Sequence, residues 1–144
     1  MKEFLKRYKF GFDFWALILF AAIMIPNIVY WCLPQYDGLS AEGAIDTAAT
    51  VFQVIGIALL LFVVQRERKR KAFADSLFMT SCVFLALDYL AWVLYFCGYS
   101  NSGVILFLAA CPCLALILFE IERRNWFALV PTAVFAVLHI VAFL

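Results

Sequence analysis

Apolar residues run almost unbroken through five stretches of this chain, at about 14–34, 44–65, 76–97, 103–121 and 126–144. Each is close to the roughly 20 residues that an α-helix needs to cross a hydrocarbon layer about 30 Å thick. A backbone amide or carbonyl in hydrocarbon has no water to bond, so a segment there must be helical or belong to a closed β-barrel. The runs lack the period-two alternation of barrel strands, which decides for helices. Hydrophobic residues make up 67% of the 144, far above the roughly 45–50% of soluble domains, so little chain is left for a water-soluble one. The expected fold is all-α: one domain over 1–144, an integral membrane bundle of five transmembrane helices whose short connections make sequential helices antiparallel neighbours. The first run follows a basic stretch, as a signal peptide's would, but it lacks a small-x-small cleavage site and is long enough to span.

All eleven Lys and Arg residues fall in three clusters: Lys2, Lys6, Arg7 and Lys9; Arg66, Arg68, Lys69, Arg70 and Lys71; and Arg123 with Arg124. The other two breaks, Pro34–Glu42 and Gly98–Gly103, carry none. Basic residues beside spans stay on the cytoplasmic side, so this alternation predicts a multi-pass plasma-membrane protein with its amino terminus inside and its carboxyl terminus outside. The clusters face anionic headgroups, which makes the lipid bilayer the first expected partner. A net charge of +1 gives no reason to expect nucleic acid. Gln65–Asp75 reads as the one long inner connection, and Glu120 and Arg124, four residues apart, as a pair on one helical face. Cys82, Cys111 and Cys113 lie inside predicted spans, which speaks against a disulfide framework. Cys32 and Cys97 would bridge only if the first and third helices touch near the outer surface.

Depth can be counted from the inner boundaries of the three outward-running helices, Asp13, Asp75 and Asn125. Asn27, Asp88 and His139 lie 14, 13 and 14 residues beyond them, or about 20 Å at 1.5 Å per residue. Three helices thus carry one strongly polar residue each at one depth, in the outer half of the membrane. The inward-running second helix adds Asp46, Thr50 and Gln53, whose spacings of four and three put them on one face. Trp92 and Tyr95 share the face of Asp88, and Tyr30 and Trp31 that of Asn27. An ionisable residue inside a span costs roughly 2.5–3.5 kcal/mol on insertion scales, so Asp88 should face the bundle interior. The plainer alternative is that these groups bond one another and hold the helices together, at about 0.6 kcal/mol per contact.

The candidate ligand-binding residues are therefore Asn27, Trp31, Asp46, Thr50, Gln53, Asp88, Trp92, Tyr95 and His139, around an outward-facing pocket centred on Asp88. With two carboxylates, Asp46 and Asp88, in the lining and no Lys or Arg in any span, the pocket suits a small cationic or polar solute, and the aromatic rings offer cation–π contact or sugar stacking. An Asp88–His139 pair would also serve as a proton relay. No catalytic residue, cofactor or metal is expected, because no nucleophile–base spacing or metal signature singles out a set. Five helices are few for a carrier built on paired repeats, so transport would require a homodimer. The competing class is a structural or regulatory subunit of a membrane complex, without its own ligand. Small-residue faces would mark it, with Gly56, Ala49 and Ala58, or Ala109 and Ala110, as candidates.

Cys111-Pro112-Cys113 resembles the intramembrane Cys-Pro-Cys of heavy-metal-transporting P-type ATPases, where two thiolates and a proline-broken helix hold a soft cation in transit. That resemblance implies a soft-metal site at these residues as a further alternative. It covers only a few residues, and nothing in the 144 corresponds to that family's phosphorylation or nucleotide domains. Over its whole length the chain resembles small five-span membrane proteins of clostridial-type bacteria, chiefly through the opening MKEFLKRYKFGFDFWALILF and Ile25-Pro26-Asn27. This second resemblance implies the five-span fold and no particular activity.

Overall fold

A computed structural model describes residues 6–33, 43–66 and 76–143. The expected outer connection at 35–42 and most of the expected inner one at 65–75 lie outside the described residues. Five helices account for most of the chain: α1 (Phe14–Cys32), α2 (Ala44–Phe62), α3 (Ser76–Phe96), α4 (Ser102–Glu122) and α5 (Trp126–Phe143). Each is long and apolar enough to cross a membrane. The protein is a multi-pass helical bundle, as the apolar runs require.

The second run ends differently from its expectation. Val63–Gln65 is not helix but a short strand, β2, paired antiparallel with β1 (Tyr8–Phe10) in the register Lys9 opposite Val64. An unbroken apolar run does not by itself separate helix from strand, and β-branched Val63 and Val64 suit an extended backbone. The strand also solves a local problem. The last carbonyls of a helix have no intrahelical donor, and here Gly11 N–H donates to Phe62 O at 3.0 Å and Asp13 N–H to Leu61 O at 2.9 Å.

The β1–β2 ribbon, the start of α1 and the α4–α5 turn form one end of the bundle, called the basic end below. Asp13 caps α1 there, its Oδ1 accepting from the amides of Trp15 at 3.0 Å and Ala16 at 3.3 Å. Asn125 accepts from the Ala128 amide at the start of α5 (3.2 Å), while its Nδ2 donates to Leu59 O (3.1 Å) and Val63 O (2.9 Å) of the α2 end. Tyr8 O–H donates to Arg124 O at 2.8 Å. One asparagine therefore caps α5 and joins it to α2. Asn125→Ala is expected to lower the unfolding free energy by about 2 kcal/mol, measured by reversible unfolding in mixed micelles. Asn125→Asp, which keeps the cap but loses both donors, should recover only part of that.

The tightest helix pairs are α3 with α4, α2 with α5 and α4 with α5, while α1 makes shallower contacts with α2, α3 and α4. Sequential packing fails at α2 and α3, which are not a closely packed pair. The main core lies toward the basic end, where Ala16, Leu19, Leu60, Leu116, Phe119 and Ala128 meet. A smaller cluster of Ala49, Cys113, Phe135 and Ala136 lies beyond it. Alanines at the contacts let the helices approach, the usual device where lipid removes the hydrophobic drive between spans. Pro26 has no amide to bond Ala22 O, and Tyr89 of α3 supplies the missing donor, its hydroxyl 2.8 Å from that carbonyl.

The expected Glu120–Arg124 pair does not form. α4 ends at Glu122, Arg124 turns into the left-handed region at φ 51° and is exposed. Glu120 instead points into the bundle, 1% exposed, where Thr132 Oγ1 of α5 donates to its Oε1 at 2.7 Å.

Candidate ligand-binding cavity

The half of the bundle away from the basic end contains a cavity of about 350 Å³ to which all five helices contribute. α1 supplies Asn27, Tyr30 and Trp31; α2 supplies Asp46, Thr50 and Gln53; α3 supplies Trp92; α4 supplies Leu108 and Pro112; α5 supplies Phe135, His139 and Phe143. Thr50 and Trp31 are both exposed residues of this lining, so the cavity reaches the surface of the bundle.

Local structure explains how each polar group arrives there. Asp46 sits in the first turn of α2, where the positive end of the helix dipole favours a carboxylate. Thr50 and Gln53 follow it on the same face, one turn and two turns further along. Asn27 turns part of its amide back, its Nδ2 donating to Ile23 O at 2.9 Å, which satisfies a polar group that lipid could not. His139 is held between two phenyl rings, with centroids 5.0 Å away at both Phe135 and Phe143. Trp92 is fixed by Tyr30 at 5.8 Å and by stacking on Phe96 at 5.4 Å.

The electrostatics are one-sided. Among the described residues Asp46 is the only carboxylate in the lining, and no Lys or Arg contributes to it. Pro112 adds a backbone feature: it has no amide for the carbonyl of Leu108 one turn earlier, and both residues line the cavity.

Seven of the nine residues singled out from the sequence line this cavity: Asn27, Trp31, Asp46, Thr50, Gln53, Trp92 and His139. Asp88 and Tyr95 do not. The reason is azimuth. Ser81, Asp88 and Tyr95 recur every seven residues and form one buried stripe. The Ser81 hydroxyl donates to Ala115 O at 2.7 Å, which turns that stripe toward α4. Asp88 is consequently 0% exposed, and neither carboxylate oxygen has a hydrogen-bond partner. Asp88 is thereby kept out of the cavity that His139 and Asp46 line. Tyr95 packs behind the wall, 5.9 Å from Trp92 and 6.1 Å from Tyr30.

All five cysteines are free thiols, and Cys32 and Cys97 are both exposed. Cys111 and Cys113 are buried, and among the described residues no three His, Cys, Asp or Glu side chains converge as a metal site would need. The buried Glu120–Thr132 pair was not legible from spacing, because a glutamate at the end of an apolar run reads as an interfacial charge. Compared with known proteins, the chain matches no family model, no curated protein and no solved structure.

Proposed function

We propose that the protein binds a small cationic or polar solute in this cavity, from the membrane face opposite the basic segments. With the basic segments cytoplasmic, that face is the outside of the plasma membrane. What supports the reading is a single combination: a cavity of about 350 Å³ with the Asp46 carboxylate, an imidazole, two amides and the hydroxyls of Thr50 and Tyr30 in its lining and no Lys or Arg among the described residues there. Pockets of this size take small molecules, and a few placed polar groups among apolar and aromatic walls fix their orientation. Trp31 and Trp92 provide faces for a cation or a sugar ring. Movement of the solute across the membrane would need a second copy of the chain, since five helices do not supply two structural halves.

Thermal unfolding of the purified chain across a panel of primary amines, quaternary amines and polyols tests the proposal. A true ligand at a hundred times its Kd should add about 2.7 kcal/mol of stability. Asp46→Asn, isosteric but uncharged, is expected to weaken a cationic ligand at least about tenfold, since it removes the charge-assisted contact. If no compound stabilises the chain, a scaffold role within a membrane complex becomes the better account. Topology is checked separately with reporter fusions at the carboxyl terminus: activity of an extracytoplasmic reporter there is expected, and activity of a cytoplasmic one would reverse the orientation.

A further inference from the structure

A second cavity, of about 250 Å³, lies at the basic end between the β1–β2 ribbon, the start of α1 and the α4–α5 turn. Its charge is opposite to that of the first. Lys9, Arg66 and Arg123 all line it, against one carboxylate, Asp13. That carboxylate is already engaged: Oδ1 accepts from the first amides of α1, and Oδ2 lies 3.4 Å from Arg123 Nε.

Arg123 is the decisive group. It is 8% exposed, with its guanidinium 4.5 Å over the Phe119 ring and its Nε 3.4 Å from Glu122 Oε2 as well as from Asp13. Its Nη2 is buried and has no hydrogen-bond partner. A buried guanidinium N–H without an acceptor costs a full desolvation penalty, and a planar donor fork of this kind matches the oxygens of a phosphate. The other two cations are set by the ribbon. Lys9 is placed by its pairing with Val64, and Arg66 by the bond from its own Nε to Tyr8 O at 3.1 Å and by its backbone amide on Arg7 O at 2.8 Å. Phe12 and Phe14, both exposed, and Trp15 form the apolar side of the same cavity. Aromatic residues at a span's end mark the headgroup level of a bilayer.

We propose that this cavity is a binding site for a phosphate group, carried either by an acidic lipid headgroup or by a soluble phosphate ester, with Arg123, Arg66 and Lys9 as its donors. It stands independently of the solute cavity at the other end. The site would also brace the junction at which α1, α2, α4 and α5 meet, so its occupant should stabilise the fold.

The test uses the full chain in detergent, with thermal unfolding and native mass spectrometry as readouts. The probes are phosphatidylglycerol, phosphatidylcholine and glycerol 3-phosphate. Phosphatidylglycerol is expected to raise the melting temperature and remain bound. Phosphatidylcholine, whose choline cation opposes the site, is expected to do neither. Lys9→Gln with Arg66→Gln, which leaves the buried Arg123–Asp13 contact intact, should weaken binding about 30-fold, or about fivefold per charge removed. Stabilisation by glycerol 3-phosphate at the concentration effective for phosphatidylglycerol would identify a soluble ester as the occupant. Stabilisation by phosphatidylglycerol alone would identify a lipid. The proposal is overturned if neither anion stabilises the native chain, or if the double variant holds phosphatidylglycerol as tightly as the native chain does.

Discussion

Gly56→Ala is expected to destabilise the bundle by about 3 kcal/mol, against the direction that helix propensity alone would give. In an isolated helix alanine is better than glycine by about 1 kcal/mol. At this position in α2, however, a Cβ would lie 2.6 Å from Thr132 Oγ1 of α5 and 3.4 Å from the Thr132 amide nitrogen. Thr132 cannot simply swing away. It is β-branched, and its hydroxyl is the donor that holds buried Glu120 Oε1 at 2.7 Å, while Glu120 Oε2 already has no partner. Either α2 and α5 separate along one of the tightest contacts of the bundle, or Glu120 loses its one hydrogen bond. A double-mutant cycle with Thr132→Ala separates these costs. Thr132→Ala alone leaves Glu120 without a donor and should cost about 2 kcal/mol. Once that side chain is gone, adding Gly56→Ala should cost little, giving a coupling of about 2–3 kcal/mol. Strictly additive values from reversible unfolding in mixed micelles would show that the two residues do not meet as described.

The second large effect has the opposite sign. Asp88→Val is expected to stabilise the chain by about 3 kcal/mol, because a carboxyl with no partner is removed from a fully buried position and replaced by an apolar group of similar volume. Both Asp88 oxygens are buried without a hydrogen bond, so nothing is left orphaned when they go. The same variant divides the two acidic residues by role. Binding of a cationic solute should survive Asp88→Val and weaken at least about tenfold in Asp46→Asn, since Asp46 lines the cavity and Asp88 does not. The reverse result would place the ligand against the α3–α4 contact and remove Asp46 from the site.

The contrast between these two aspartates shows where residue counting stops. Counting along α1, α3 and α5 put Asn27, Asp88 and His139 at one depth, and the cavity of the far half draws on α1 and α5 at that level. Depth follows from a fixed rise per residue and needs no knowledge of neighbours. Which way a side chain faces depends on what its helix packs against. α3 lies along α4, so the stripe through Ser81, Asp88 and Tyr95 is pressed into that contact and only Trp92, on its flank, reaches the cavity. The same limit applies to Glu120 and Gly56, whose meeting through Thr132 joins three helices over 76 positions of chain.

From its residues alone this chain determined five membrane-spanning helices, nearly all of their boundaries, and the clustering of positive charge at one side of them. Those properties are local: span length, backbone satisfaction in hydrocarbon and capping by Asp13 or Asn125 are decided within a turn or two of the residue concerned. The tertiary structure decided the rest. It turned Val63–Gln65 into a strand, set α2 against α5 instead of α3, and gave Asp46 rather than Asp88 to the cavity. It also gathered Lys9, Arg66 and Arg123 from three distant segments into one basic pocket. Each of these is a choice of neighbour between segments far apart in sequence, made by close packing of small residues and by hydrogen bonds between segments such as Asn125 to Leu59 and Val63 and Ser81 to Ala115.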